Sequence, residues 1–395
     1  MLSSADVIEK REQWMSNAYL EPLTKQLQLR SVTIPNRIAM APMTRKFSPG
    51  GVPGEDVAAY YRRRAEGGAG LIFTEGTAIP DPAAVDHNDI PQLYGANALA
   101  GWRNVVTEVH AAGAVIFPQL WHQGAMREPG NSRHPDVPAR SPSGVCGPLG
   151  HTSLSPEQLD SLSRSGRAMS LAEIDQVIMA YAEAAANAME VGFDGIALHG
   201  GHGYLIDNFL WAGTNQRSDQ WGGDIQQRSR FAAEVVKAVR DVIGPTKPIV
   251  FRFSQWRMQD YRSQLATTPQ ELEKILVPIA EAGVDAFDAS VRFFDTPAFD
   301  GSELGLAGWT KRLTGKATMV VGGIGLNDGF NLSVTQNTEA GVGDNLRRLM
   351  ARFDREEFDL VAVGRSLLND PDWPRKVLAG EPLPVFDPAR LQYLA

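Results

Sequence analysis

The chain has 395 residues, a formal net charge of −8, 43% hydrophobic and 21% charged residues, and one cysteine, Cys146. Its apolar stretches are far shorter than the roughly 20 residues of a membrane span and its lysines and arginines form no basic stripe, so neither membrane nor nucleic acid is an expected partner. One thiol excludes a disulfide framework, a thiolate zinc site and an iron–sulfur cluster, each of which takes several cysteines.

In chain order, residues 1–20 read as an appended arm or helix ahead of a domain that starts at 21. Asp6, Glu9, Lys10, Arg11 and Glu12 stand where an export signal would be apolar, so the expected location is the cytoplasm. From there, short runs rich in Val, Ile and Phe alternate with longer helix-period segments, the pattern of repeated strand–helix units and a parallel sheet. The strands read as 37–43, 71–76, 115–121, 195–201, 248–254, 286–291, 318–325 and 360–366. Helices are expected at 56–66, 99–112, 171–191, 229–243, 269–282, 308–315, 344–353 and 372–379. Ser170 followed by Glu173 has the spacing of a capping box, and Gly113, Gly192, Gly244 and Gly283 stand where helices should stop.

Eight strand–helix units without a dividing linker predict an α/β fold, a single (β/α)8 barrel over 21–395 with a long capping loop after strand 3, about 123–167. A doubly wound dinucleotide fold would need a Gly-rich turn after its first strand, and none is present. Chemistry in such barrels sits at the C-terminal strand ends, which here carry Pro42, Met43 and Thr44; Glu75 and Gly76; Gln119, Trp121 and His122; His199, His202 and Tyr204; Arg252 and Ser254; Gly322 and Gly323; and Gly364 and Arg365. A Schiff-base aldolase would need a strand-end lysine, but the nearest, Lys46, lies in a loop. His199 and His202 could be metal ligands, yet no third ligand stands at a neighbouring strand end, so no metal is expected. The glycines of strands 7 and 8 could merely close tight turns. Together with Arg365, however, they suit a phosphate site of backbone N–H groups and a guanidinium. The strand ends thus describe the wall of a pocket for a flat, hydrogen-bonding, phosphorylated cofactor.

Residues 36–44, 67–76, 119–122 (Gln-Leu-Trp-His), 199–205 (His-Gly-Gly-His-Gly-Tyr-Leu), 217–223, 228–231 and 363–365 closely resemble, in order, the Old Yellow Enzyme family. That resemblance implies non-covalently bound FMN, NAD(P)H as hydride donor, and reduction of activated alkenes: α,β-unsaturated carbonyls, nitroalkenes and possible nitro or nitrate-ester substrates. Carried onto this sequence, Pro42, Met43, Thr44, Gly76 and Gln119 contact the flavin, and Arg252 faces N1 and the C2 carbonyl. A cation there would stabilise the charge that gathers at that edge on reduction. Arg252 could instead serve a structural ion pair. Gly322, Gly323, Gly364 and Arg365 hold the phosphate. His199 and His202 hold the substrate carbonyl oxygen, and Tyr204 protonates the α carbon while flavin N5 delivers hydride to the β carbon. Ping-pong kinetics follow from one site serving both half-reactions.

Thr44 departs from the cysteine found in one branch of the family, while the histidine pair resembles that same branch. The stretches 254–261 and 293–306 match no family pattern, and substrate choice is expected there. The expected partner is a small-molecule alkene, and the protein a monomer or homodimer. The rival reading is an FMN-binding barrel that works as a general diaphorase or flavin module with little alkene turnover.

Overall fold

A computed structural model of the chain describes residues 18–326 and 339–395. Eight parallel strands close into a barrel. They are β1 (Ile38–Met40), β2 (Leu71–Ala78), β3 (Val115–Trp121), β4 (Ile196–His199), β5 (Ile249–Ser254), β6 (Ala286–Ser290), β7 (Ala317–Val321) and β8 (Leu360–Val363), with β8 hydrogen-bonded between β7 and β1. Around it lie α1 (Glu55–Glu66), α2 (Ala96–Ala111), α3 (Leu171–Val191), α4 (Arg230–Ile243), α5 (Pro269–Glu281), α6 (Leu306–Thr314), α7 (Glu339–Phe353) and α8 (Trp373–Ala379). The fold is the expected (β/α)8 barrel.

The physical origin of each layer is visible in the side-chain alternation. Along β5, Ile249, Phe251 and Phe253 point outward into the core shared with the helices, while Val250 points into the barrel. The interior cluster of Ala39, Leu71, Phe73, Phe117, Ala197, Val250, Ala286, Met319 and Leu360 fills the bottom of the barrel. A hairpin of Leu27–Leu29 paired with Val32–Ile34 adds Leu29, Val32 and Ile34 to that cluster and plugs its N-terminal end. With the bottom closed by apolar packing, the polar interior positions fall at the opposite, C-terminal mouth.

Local chemistry sets the helix limits. Ser170 caps α3 in a reciprocal box with Glu173, as the spacing predicted, and Gly192 ends it in the left-handed conformation at φ 100°. Several expected strands run too far. Strand 1 stops at Met40, strand 4 at His199, strand 7 at Val321 and strand 8 at Val363. Pro42–Thr44, Gly322–Gly323 and Gly364 are therefore loop, where backbone N–H groups are not consumed by a ladder. Residue 365 begins a short helix, Arg365–Asn369. Expected strand 2 is instead extended to Ala78 through a β-bulge between Phe73 and Gly76.

The expected loop over 123–167 is more ordered than its Pro, Gly and Ser content suggested. It holds a helix, Pro156–Ser165, capped by Ser155, and its strand Ala139–Ser141 pairs in parallel with Gly166–Ala168. Of the expected arm, residues 1–17 lie outside the described residues, while Ala18–Thr24 forms a 3-10 helix with Leu20 and Leu23 buried. The expected strand 7 loop is described only as far as Leu326. Among the described residues no helix is long and apolar enough to cross a membrane.

Candidate active site

At the C-terminal mouth the structure forms a cleft of about 540 Å³. Every residue to which the resemblance gave a role lines it: Pro42, Met43, Thr44, Gly76, Gln119, His199, His202, Tyr204, Arg252, Gly322, Gly323, Gly364 and Arg365; the strand-end residues Glu75, His122 and Ser254 do not. Trp121, Trp256, Met258, Ser290, Val291, Arg292 and Leu391 share the wall.

Strand register creates the centre of the site. His199 on β4, Arg252 on β5 and Asp288 on β6 stand side by side on adjacent strands, all facing inward. Arg252 Nε lies 3.4 Å from Asp288 Oδ2, and both groups are buried. The structural ion pair that the sequence left as an alternative for Arg252 is therefore present. It coexists with a place on the cleft wall. Burial raises the Asp288 carboxyl pKa, and Arg252 pulls it back down. The same arginine donates to Ser290 Oγ at 3.2 Å, and Ser290 Oγ lies 2.8 Å from His202 Nε2. Asp288 and Ser290 were missed in the sequence, although the alternation of residues 286–290 was the available signal: Phe287 and Ala289 face the helices, so 286, 288 and 290 face in.

The two histidines differ. His199 accepts the Gly201 backbone N–H on Nδ1 at 3.4 Å, which leaves its Nε2 to carry the proton. His202 has a left-handed backbone, φ 64°, donates its own N–H to Ser254 Oγ at 2.9 Å, and stacks on Trp256 at 4.2 Å between ring centroids. Burial, followed by the nearby Arg252 cation, holds both rings well below the usual histidine range, so both are neutral at physiological pH. Tyr204 packs edge-on against Trp121 at 4.9 Å and His199 at 4.8 Å. Burial raises its phenol above the ordinary value, which keeps it protonated.

Trp121 organises this cluster, and Gly76 makes room for it. A Cβ at Gly76 would lie 2.3 Å from Trp121 Cε3. The bulge that brings Gly76 opposite Gln119 is held by Thr74, whose hydroxyl accepts the Gln119 N–H at 3.0 Å. Below it, buried Glu75 accepts the backbone N–H groups of Arg45 at 2.8 Å and Lys46 at 3.0 Å, fixing the loop that carries Thr44. Burial raises the Glu75 pKa to about 7.

The glycine loops form a tight cradle. A Cβ at Gly322, φ 140°, would lie 2.2 Å from the Val291 carbonyl oxygen. Asn345 of α7 clamps the loop by donating to Gly323 O and accepting from Gly325 N, both at 2.9 Å. Ser366 Oγ ties it to the strand 8 loop through Ile324 O at 3.0 Å. Arg365 lies partly buried beside this cradle, and burial lowers its pKa. Asn345 carried no sequence signal, since it belongs to no motif, whereas Ser366 closes the 363–366 stretch read from the sequence as suited to phosphate.

These residues fit a flat phosphorylated cofactor. Gln119 Nε2 is buried at the cleft without a hydrogen-bond partner, as expected of a donor waiting for an acceptor. Among the described residues no group of three His, Cys, Asp or Glu side chains could hold a metal ion.

Residues 22–343 match the NADH:flavin oxidoreductase / NADH oxidase family. The chain belongs to this family, that of Old Yellow Enzyme. It is thus an NAD(P)H-dependent flavin oxidoreductase that binds FMN. It is 37% identical to 12-oxophytodienoate reductase 7 of Oryza sativa subsp. japonica over 237 residues, 58% of this chain and 57% of that protein. It is 29% identical to flavin oxidoreductase hxnT of Emericella nidulans over 400 residues, 93% of each chain. Its fold is similar to that of morphinone reductase in complex with tetrahydroNAD, with a TM-score of 0.75, 29% identity and 93% of each chain covered.

Proposed function

We propose that the enzyme reduces the C=C bond of activated alkenes with hydride from NADPH or NADH, acting on α,β-unsaturated carbonyls and nitroalkenes and, by the same oxyanion logic, on nitro compounds and nitrate esters. The observation that carries this reading is the cluster of His199, His202 and Tyr204: neutral imidazoles and a protonated phenol, their rings 4.8–5.0 Å from His199, at one end of a cleft lined with FMN-type contacts.

Pro42, Met43, Thr44, Gly76 and Gln119 would hold the flavin ring, Arg252 its N1 and C2-carbonyl edge, and Gly322, Gly323, Gly364 and Arg365 its phosphate. Bound FMN supplies the two-electron carrier between nicotinamide and alkene. His199 and His202 orient the substrate oxygen, and their bonds to it strengthen as negative charge builds there. A neutral imidazole donates one hydrogen bond without surrendering its proton, which suits an oxyanion site. Tyr204 gives its proton to the α carbon. Because one cleft serves both substrates in turn, the kinetics are ping-pong. The catalytic domain is the single barrel of 21–395, working in the cytoplasm as a monomer or homodimer on a small-molecule alkene.

One observation favours a second reading. His202 Nε2 is already bonded to Ser290, so a barrel with only His199 presenting its N–H would be a poorer alkene site and a general diaphorase. A steady-state panel of enones, nitroalkenes, maleimides and nitrate esters with both nicotinamides separates the two. Parallel double-reciprocal lines with at least one alkene support alkene reduction, whereas turnover with dyes and oxygen alone supports the diaphorase.

A further inference from the structure

The carbonyl-binding segment makes two unusual backbone turns in succession, His202 at φ 64° and Gly203 at φ 88°. A left-handed histidine is strained, so something outside it must hold the turn. The Gly203 N–H donates to Asp207 Oδ2 at 2.7 Å, between His202 and Tyr204. The other oxygen of that carboxylate, Oδ1, meets Arg257 Nη2 at 3.0 Å, and both side chains are fully buried, at 0% exposure. Arg257 belongs to the stretch 254–261 that matched no family pattern. Its guanidinium also stacks over Trp211 at 4.2 Å and donates to Gln255 O at 3.2 Å.

The same stretch touches His202 directly. Trp256, next to Arg257, stacks on the imidazole; Met258 N–H donates to His202 O at 3.2 Å; and Gln259 Oε1 packs where a Cβ of Gly203 would be, at 2.4 Å. The ion pair is thus the joint between two segments about fifty residues apart that together enclose His202. Neither Asp207 nor Arg257 lines the cleft. A fully buried ion pair is weak evidence for stability, because well-packed apolar residues often do as well. Its place at this joint is better explained by geometry.

We propose that Asp207 and Arg257 are positioning residues for alkene reduction, holding the His202–Gly203 turn and the Trp256 stack so that His202 and Tyr204 address the substrate. The proposal rests on the alkene-reductase reading above. Burial raises the Asp207 carboxyl pKa and Arg257 opposes it, so loss of the arginine removes a group that favours the charged carboxylate.

The test compares Asp207→Asn, Arg257→Met and Arg257→Lys with wild type, each as FMN-loaded full chain. Displacing a reacting group by about 1 Å costs about 10²-fold in rate. Asp207→Asn and Arg257→Met should therefore slow the alkene half-reaction about 10²-fold more than they slow flavin reduction by nicotinamide. Arg257→Lys, which keeps the charge, should recover part of the loss. As a readout apart from turnover, the dissociation constant of a saturated cyclic ketone, cyclohexanone, should rise about ten-fold in Arg257→Met, in line with one weakened oxyanion contact. Where Arg257→Met fails to fold, the lysine variant and Asp207→Asn decide. Equal slowing of both half-reactions, or wild-type alkene rates in Asp207→Asn and Arg257→Lys, overturns the positioning role alone. A wild-type flavin that nicotinamide reduces but no alkene reoxidises overturns the functional reading, and the positioning role falls with it.

Discussion

At the residue scale, the proposed division of labour between the histidines and Tyr204 rests on how burial moves proton affinities. Burial lowers the imidazole pKa values, so neither ring gains a proton above the ordinary histidine range. It raises the phenol, so Tyr204 loses none below its ordinary value. None of the three then titrates between about pH 6 and about pH 9. Apart from a single step near pH 7 where Glu75, which holds the Thr44 loop, titrates, the alkene half-reaction followed by stopped-flow should be flat with pH across that window. In the same experiment Tyr204→Phe should slow alkene reduction by about 10²-fold or more, the scale of a general acid, and leave flavin reduction by nicotinamide nearly intact. A bell-shaped wild-type profile, or equal slowing of both halves in Tyr204→Phe, would show that another group moves the proton. The site residues within one short segment, His199, His202 and Tyr204, were legible in the sequence because spacing alone puts them at one strand end. Asp288 and Ser290 were not, because their meaning depends on which neighbouring strand brings an arginine or a histidine beside them.

At the scale of elements, the loops carry function and their supports come from elsewhere in the chain. The strand 7 glycine loop takes its shape from Asn345 on α7 and from Ser366 after β8, which lie twenty and more residues downstream. Replacing Asn345 by Ala leaves Gly323 O and Gly325 N–H without their partner, a cost of about 1–3 kcal/mol for buried backbone groups. The expected outcome is an FMN dissociation constant raised about ten-fold, measured by fluorescence on reconstitution, with the alkene rate of the loaded enzyme little changed. Unchanged FMN affinity would mean that the loop keeps its shape without the clamp. The element boundaries explain why sequence patterning overran here. Apolar residues such as Met43 and Ile324 follow the ends of strands 1 and 7, so period and composition extend a strand that backbone pairing has already ended.

At the scale of the whole molecule, eight strand–helix repeats were countable from hydrophobic alternation, and the barrel follows from that count. Closure needs β8 between β7 and β1, and this last repeat also brings Gly364 and Arg365 to the wall of the cleft. The interior of the capping stretch after β3 was not legible, since a three-residue strand paired in parallel with another 27 residues later leaves no periodic trace. The joint made by Asp207 and Arg257 escaped for the same reason. Each residue reads as an ordinary surface charge until the fold buries the two against each other.

The central claim is that this barrel passes hydride from nicotinamide to an alkene. An anaerobic two-step stopped-flow measurement tests it most directly. NADPH or NADH should bleach the yellow enzyme, and mixing the reduced protein with an enone should restore the flavin absorbance at a rate that saturates with enone concentration. Reduced enzyme that stays bleached with every enone and nitroalkene tried, and regains its colour only when oxygen is admitted, would contradict the claim.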